Sequence, residues 1–236
     1  QVAPRAHHAA TALMLDDGAG NLRQAVLIAG GEVDHEDQRR PTGNALLFDV
    51  AAGSFARTDL SLVQPRRRHT ATAFGPDESL VLIAGGEAGA GLVDAGELFD
   101  GSAFRAVEPA GSEARNGLLN PRVRHNAVAM PDGVMIVGGD NQLASMVAPE
   151  MFLLGGALGT GFFAVQVEAH PADHPTRRGA VAVWLGGGSL LFAAGEELDG
   201  FDRTLLDTSE VLQLEQGTRS ASFYPEGPLG QKLSFP

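Results

Sequence analysis

The chain has 236 residues, 17 Lys+Arg against 29 Asp+Glu for a formal charge of −12, 31 Gly and no Cys. That length supplies ample material for a core, and the absence of Cys excludes disulfides, Cys-ligated zinc, iron–sulfur clusters and a Cys nucleophile. The acidic total argues against nucleic acid or anionic lipid as a partner, and no apolar run approaches the ~20 residues of a membrane helix.

The glycines are about twice as frequent as the ~7% average, yet they form no low-complexity linker. They mark an internal repeat. The first unit opens Pro4-Arg5-Ala6-His7-His8, continues through Ala9 to Leu13, and reaches Val26-Leu27-Ile28-Ala29-Gly30-Gly31-Glu32. The second opens Pro65-Arg66-Arg67-Arg68-His69 and reaches Leu82-Ile83-Ala84-Gly85-Gly86-Glu87. The third opens Pro121-Arg122-Val123-Arg124-His125 and reaches Ile136-Val137-Gly138-Gly139-Asp140. The fourth is read as Pro175-Thr176-Arg177-Arg178-Gly179, reaching Phe192-Ala193-Ala194-Gly195-Glu196, with Thr176 and Gly179 in place of Arg and His. The prolines are spaced 61, 56 and 54 residues apart, giving units of approximately 4–64, 65–120, 121–174 and 175–236.

Each unit has a second half: a polar loop, a short segment (Leu46-Leu47-Phe48, Glu97-Leu98-Phe99, Glu150-Met151-Phe152, Glu210-Val211-Leu212), a turn, and a segment starting near Phe55, Phe104, Phe162 or Phe223. Every run is short and bounded by turn residues, the signature of strands. A unit therefore reads as strands a, b, c and d. Runs such as Val134–Val137 are apolar throughout and predict strands covered on both faces. Four-stranded antiparallel units at this period predict an all-β fold, the blades of a β-propeller.

Arg-x-x-His, a strand ending Gly-Gly, a Phe-Asp segment and an aromatic strand together resemble the kelch repeat, in a divergent, Ala/Gly-rich, bacterial-looking form. The resemblance spans the whole chain. Pro236 stands 61 residues after Pro175 and reads as the start of a further unit. The four units are thus expected either to close a compact ring or to belong to a larger propeller, excised or completed by another chain. The second reading is favoured.

The b–c and d–a connections share one face, and there binding residues are expected. The candidates are His8, His69 and His125 at the strand-a entries, the b–c loop residues His35, Arg39 and Arg40, the repeat arginines Arg68, Arg124 and Arg178, and Asp202. A ring of imidazoles could hold a metal or anion; a histidine that comes with the repeat more simply bonds a neighbouring blade. The acidic run Asp34-His35-Glu36-Asp37 lacks calcium-loop spacing and reads as solvated charge. The arginines could take an anionic ligand, with inter-blade Arg–Glu pairing favoured. His170, Asp173 and His174 join the same face.

No nucleophile elbow, metal-protease motif or phosphate loop is present, and no cofactor or metal is implied. Kelch-like propellers include a copper-radical oxidase whose Cys–Tyr crosslink this chain cannot form; mutarotase-like and cyclase-like enzymes of that kind are the alternative. The expected function is non-catalytic: a protein- or glycan-binding scaffold, in an extracellular, periplasmic or cell-surface setting.

Overall fold

A computed structural model describes residues 3–35, 38–89, 91–141, 148–167, 177–199, 202–215 and 218–228. The elements are β1 (Ala9–Asp16), β2 (Leu22–Ala29), β3 (Glu32–His35), β4 (Gln38–Pro41), β5 (Asn44–Asp49), β6 (Ser54–Ser61), β7 (Thr70–Phe74), β8 (Leu80–Ala84), β9 (Glu87–Ala88), β10 (Gly91–Leu92), β11 (Glu97–Phe99) and β12 (Phe104–Ala106). They continue with β13 (Asn126–Met130), β14 (Gly133–Val137), β15 (Glu150–Leu153), β16 (Gly161–Ala164), β17 (Gln166–Val167), β18 (Val181–Gly186), β19 (Ser189–Ala193), β20 (Glu196–Asp199), β21 (Asp202–Leu205), β22 (Thr208–Leu214) and β23 (Ser220–Pro228). Among the described residues there is no helix, hence none long and apolar enough to cross a membrane.

Four sheets have the connectivity expected from the repeat: β1-β2-β5-β6, β7-β8-β11-β12, β13-β14-β15-β16 and β18-β19-β22-β23. Each is an antiparallel meander, and β17 adds a parallel edge strand beside β23 in the fourth. The inner strands β1, β7, β13 and β18 follow one another as neighbours. The b–c connections are not plain loops. They fold back as the hairpins β3–β4, β9–β10 and β20–β21.

The core lies between blades. Leu13, Leu27 and Leu47 of the first blade pack on Val81, Ile83 and Phe99 of the second. Phe74 and Leu82 of the second meet Val134, Ile136, Phe152 and Phe162 of the third. Met130, Met135 and Met151 of the third meet Leu190, Phe192 and Leu212 of the fourth. Burying one such Phe or Leu stabilises by about 1.5–3 kcal/mol. This explains why β8 and β14 are apolar on both sides: each is covered by two neighbours. The end blades depart from that expectation. In β18 the burial alternates, with Val181, Val183 and Leu185 exposed and Ala182 and Trp184 turned to the third blade. In the first blade, Phe55 is exposed. Among the described residues the first and fourth blades do not cover one another.

Candidate functional site

The strand-a entries organise the b–c/d–a face. Arg66, Arg122 and Arg177 are fully buried. Arg66 donates to the carbonyls of Gly85 (3.1 Å) and Ala95 (2.8 Å) and to the Glu97 carboxylate at 2.8 Å. Arg122 does the same with Gly138, Ala148 and Glu150, and Arg177 with Ala194, Thr208 and Glu210. In the first blade Arg5 reaches the carbonyls of Gly30 and Asn44 and the Asn44 side-chain oxygen; Asn44 stands where the others have Ala95, Ala148 and Thr208, and Leu46 where they have Glu. The carboxylates have a second task. Glu97 accepts the N–H groups of Val63 and Gln64, and Glu150 those of Leu119 and Asn120, which pins each d–a crossing to the next blade. Burial lowers the pKa of Arg66 and Arg122, against the opposing pull of their carboxylates. These groups are structural anchors, and the recurrence of Glu at the start of strand c was the sequence signal for them.

The structure corrects the register of the fourth unit by one residue. Arg177, not Thr176, fills the buried arginine position, and Arg178 N–H to Glu196 carbonyl repeats the Arg67-to-Glu87 bond. Gly179 then matches Arg68 and Arg124, which also carry positive φ. Ala180 stands where His69 and His125 stand. Phe192 fills the space left by the missing imidazole, its ring reaching to Gly138.

The three histidines differ in place. His69 and His125 are buried, with Cε1 packed against Gly30 and Gly85 of the preceding blade. Burial, helped by Arg66, pushes the His69 imidazole down to about 3; burial with Arg122 and His69 does the same for His125. The His125 Nε2 meets the Thr70 hydroxyl at 3.0 Å. These two are wedged between blades as neutral rings, the placement favoured for a histidine that comes with the repeat, and the three imidazoles do not form a surface ring: His8 alone of the three is exposed.

The remaining arginines surround the strand-a entries and meet carboxylates. Glu32 bonds Arg67 of the next blade and His7 at 2.9 Å, and these contacts hold it below the usual carboxylate range. Glu87 takes Arg67 at 3.0 Å and Arg68 at 2.9 Å, because Val123 occupies the matching position in the third blade. Arg178 reaches Asp140 at 2.9 Å and Glu196 at 2.8 Å, and Arg124 lies 3.9 Å from Glu196. Four guanidinium groups thus face four carboxylates, and the positive concentration expected there is largely neutralised. The Glu32–Arg67 and Asp140–Arg178 pairs tie blade to blade, as expected of the carboxylate after the Gly pair.

His35, Arg39 and Arg40 project on the β3–β4 hairpin and are exposed, with Arg39 3.6 Å from both Glu32 and Asp34. Asp202 opens β21, but its side chain lies outside the described residues, as do Glu36, Asp37, His170, Asp173 and His174. Three apolar side chains missed in the sequence share this face: Val63 and Leu119 on the d–a crossings, and Leu205, 83% exposed, ending β21. No group of three or more His, Asp or Glu capable of holding a metal occurs among the described residues.

The sequence matches no family model and no curated protein. The solved structure of YjhT matches with a TM-score of 0.68 at 12% identity, over 97% of this chain and 72% of that one. The fold is a β-propeller. At this identity the likeness speaks for the architecture alone: antiparallel blades set face to face with their inner strands side by side.

Proposed function

We propose that the chain is a kelch-like propeller module that binds a protein partner through its b–c/d–a face, without catalysis. One observation carries the reading. The b–c hairpins and d–a crossings hold Val63, Leu119 and Leu205 exposed on the same face of the propeller as the charged His35, Arg39 and Arg40. Apolar anchors within a polar rim are the make-up of protein interfaces, and connections on a rigid β scaffold are where such residues concentrate. A second feature supports binding over chemistry: the carboxylates and guanidinium groups at the strand-a entries bond one another, and the two histidines with strongly shifted acidity are sealed between blades. The acidic total suits an extracellular or cell-surface setting.

The test probes the labelled chain against a displayed random-peptide library and, in parallel, a glycan array. The reading expects selected peptides whose binding falls at least tenfold in Val63→Asp and Leu205→Asp variants that keep the wild-type melting temperature. Selection of glycans alone, or catalysed anomer exchange of a sugar followed by NMR, would contradict it.

A further inference from the structure

The two uncovered sheet faces repeat, residue for residue, the faces that mate inside the molecule. On the first blade, Ala10 and Ala12 stand where the second blade has Ala71 and Ala73. Val26 and Ile28 stand where it has Val81 and Ile83, and the cross-strand pair Phe48–Phe55 stands where it has Phe99–Phe104. In the second and third blades this face is covered by the preceding blade: Phe99, Phe152 and Phe162 are all 0% exposed, against 41% for Phe55. On the fourth blade, Val183, Leu191, Val211 and Tyr224 run across the sheet in register. They match Val128, Met135, Met151 and Phe163 of the third, the face that the fourth blade covers. Tyr224 is 52% exposed, its counterpart Phe163 2%.

The hydrogen bonds repeat in the same way. At each internal junction the second residue of the Gly pair donates its N–H to the arginine carbonyl of the following blade: Gly31 to Arg66 (2.9 Å), Gly86 to Arg122 (2.9 Å) and Gly139 to Arg177 (3.1 Å). Gly195 has no such acceptor among the described residues, and the Arg5 carbonyl no such donor. One chain therefore carries both halves of an unmade junction at its opposite ends.

We infer that these two faces join head to tail between copies of this chain, the fourth blade of one copy against the first blade of another. Such a contact is heterologous, so a pair of copies that closes on itself contains two identical junctions. It is also a tuned contact. Ala194 stands where the other blades have the first Gly of the pair, and a Cβ at the equivalent Gly85 would lie 2.5 Å from the incoming His125 Cε1 and 2.6 Å from the Arg122 carbonyl oxygen. The methyl of Ala194 keeps His8 of the second copy out of that slot, which makes this junction weaker than the internal ones. The inference concerns the sheet faces and is independent of the loop-face reading.

Sedimentation equilibrium of the 236-residue chain over a concentration series is the test. A mass rising from 24.5 kDa to twice that value is expected, with Ala194→Gly tightening the association at least threefold. Phe55→Asp and Val183→Asp, each checked for an unchanged far-ultraviolet spectrum, should each be monomeric when alone. Mixed, they should pair again, because a mixed pair retains one junction with both faces intact. A wild-type mass of 24.5 kDa at every concentration overturns the inference, as does association that survives both single variants, or variants that fail to complement when mixed.

Discussion

Gly85 lies so close to His125 that a β-carbon on it would sit 2.5 Å from the imidazole Cε1. The contact crosses from the second blade to the third, and Gly30 with His69 forms the same contact one junction earlier. The Gly pair and the Arg-x-x-His motif are therefore two halves of one joint. Glycine is required on two counts, since φ at Gly85 is +61°, a region costly for residues with a side chain. Gly85→Ala is expected to destabilise the chain by about 2 kcal/mol or more, seen as a lower urea midpoint. Gly53→Ala, in a turn with nothing near its would-be Cβ, serves as the control for the φ cost alone and should lose less.

The buried Arg–Glu pairs invite a second measurement. Glu150→Ala leaves the Arg122 guanidinium uncompensated and strips the Leu119 and Asn120 N–H groups of their acceptor. A loss of about 3–5 kcal/mol is expected. Asp59→Ala, which removes the partner of the exposed Arg57, should cost far less. Denaturant unfolding of both variants compares them directly.

Acid should weaken the joints through their histidines. His69 and His125 are held at about 3 in the folded chain, while an unfolded imidazole titrates near the ordinary ~6.5. As pH falls below that value the unfolded chain takes up protons first. The stability from these residues is therefore full above pH ~6.5 and is lost as pH falls toward 3, with a slope approaching ~1.4 kcal/mol per pH unit for each histidine. Urea midpoints between pH 7.5 and 5, above the range where unfolded carboxylates titrate, should show this decline. A His69→Gln, His125→Gln double variant should flatten it.

Where the imidazole is missing, an aromatic ring replaces it. Phe192 reaches toward Gly138 and lies 5.9 Å beneath the Arg177 guanidinium. Phe192→Ala is expected to cost about 3–5 kcal/mol, and Ala180→His should destabilise wild type while recovering part of that loss in the Phe192→Ala background. A double-mutant cycle on unfolding midpoints measures the coupling.

Much of this was legible in the chain. Proline, arginine, histidine and the Gly pair recur at spacings that only stacked, similar units produce, and strand lengths followed from the turn residues between them. The fourth unit slipped because Pro175 resembles the other prolines, whereas the feature that sets register is the buried arginine, and Arg177 and Arg178 stand side by side. The tasks of Glu97, Glu150 and Glu210 were hidden because a carboxylate on an acidic chain looks solvated until its partner is placed. For His69 and His125 the repeat itself favoured a contact with the neighbouring blade over a surface ring of ligands, and both rings lie between blades; which junction atoms they meet is a property of the packed blades that a linear pattern does not contain. The exposed Val63, Leu119 and Leu205 were invisible because single apolar residues in connections carry no periodicity.

The most direct test of the open four-blade arc is amide hydrogen exchange at the second residue of each Gly pair, at a dilution where the chain is monomeric. Gly31, Gly86 and Gly139 donate across blade junctions and Gly195 has no such acceptor among the described residues, so the first three amides should exchange slowly and Gly195 much faster. Slow exchange at Gly195 under those conditions would mean that the fourth blade already meets the first, and would contradict the account.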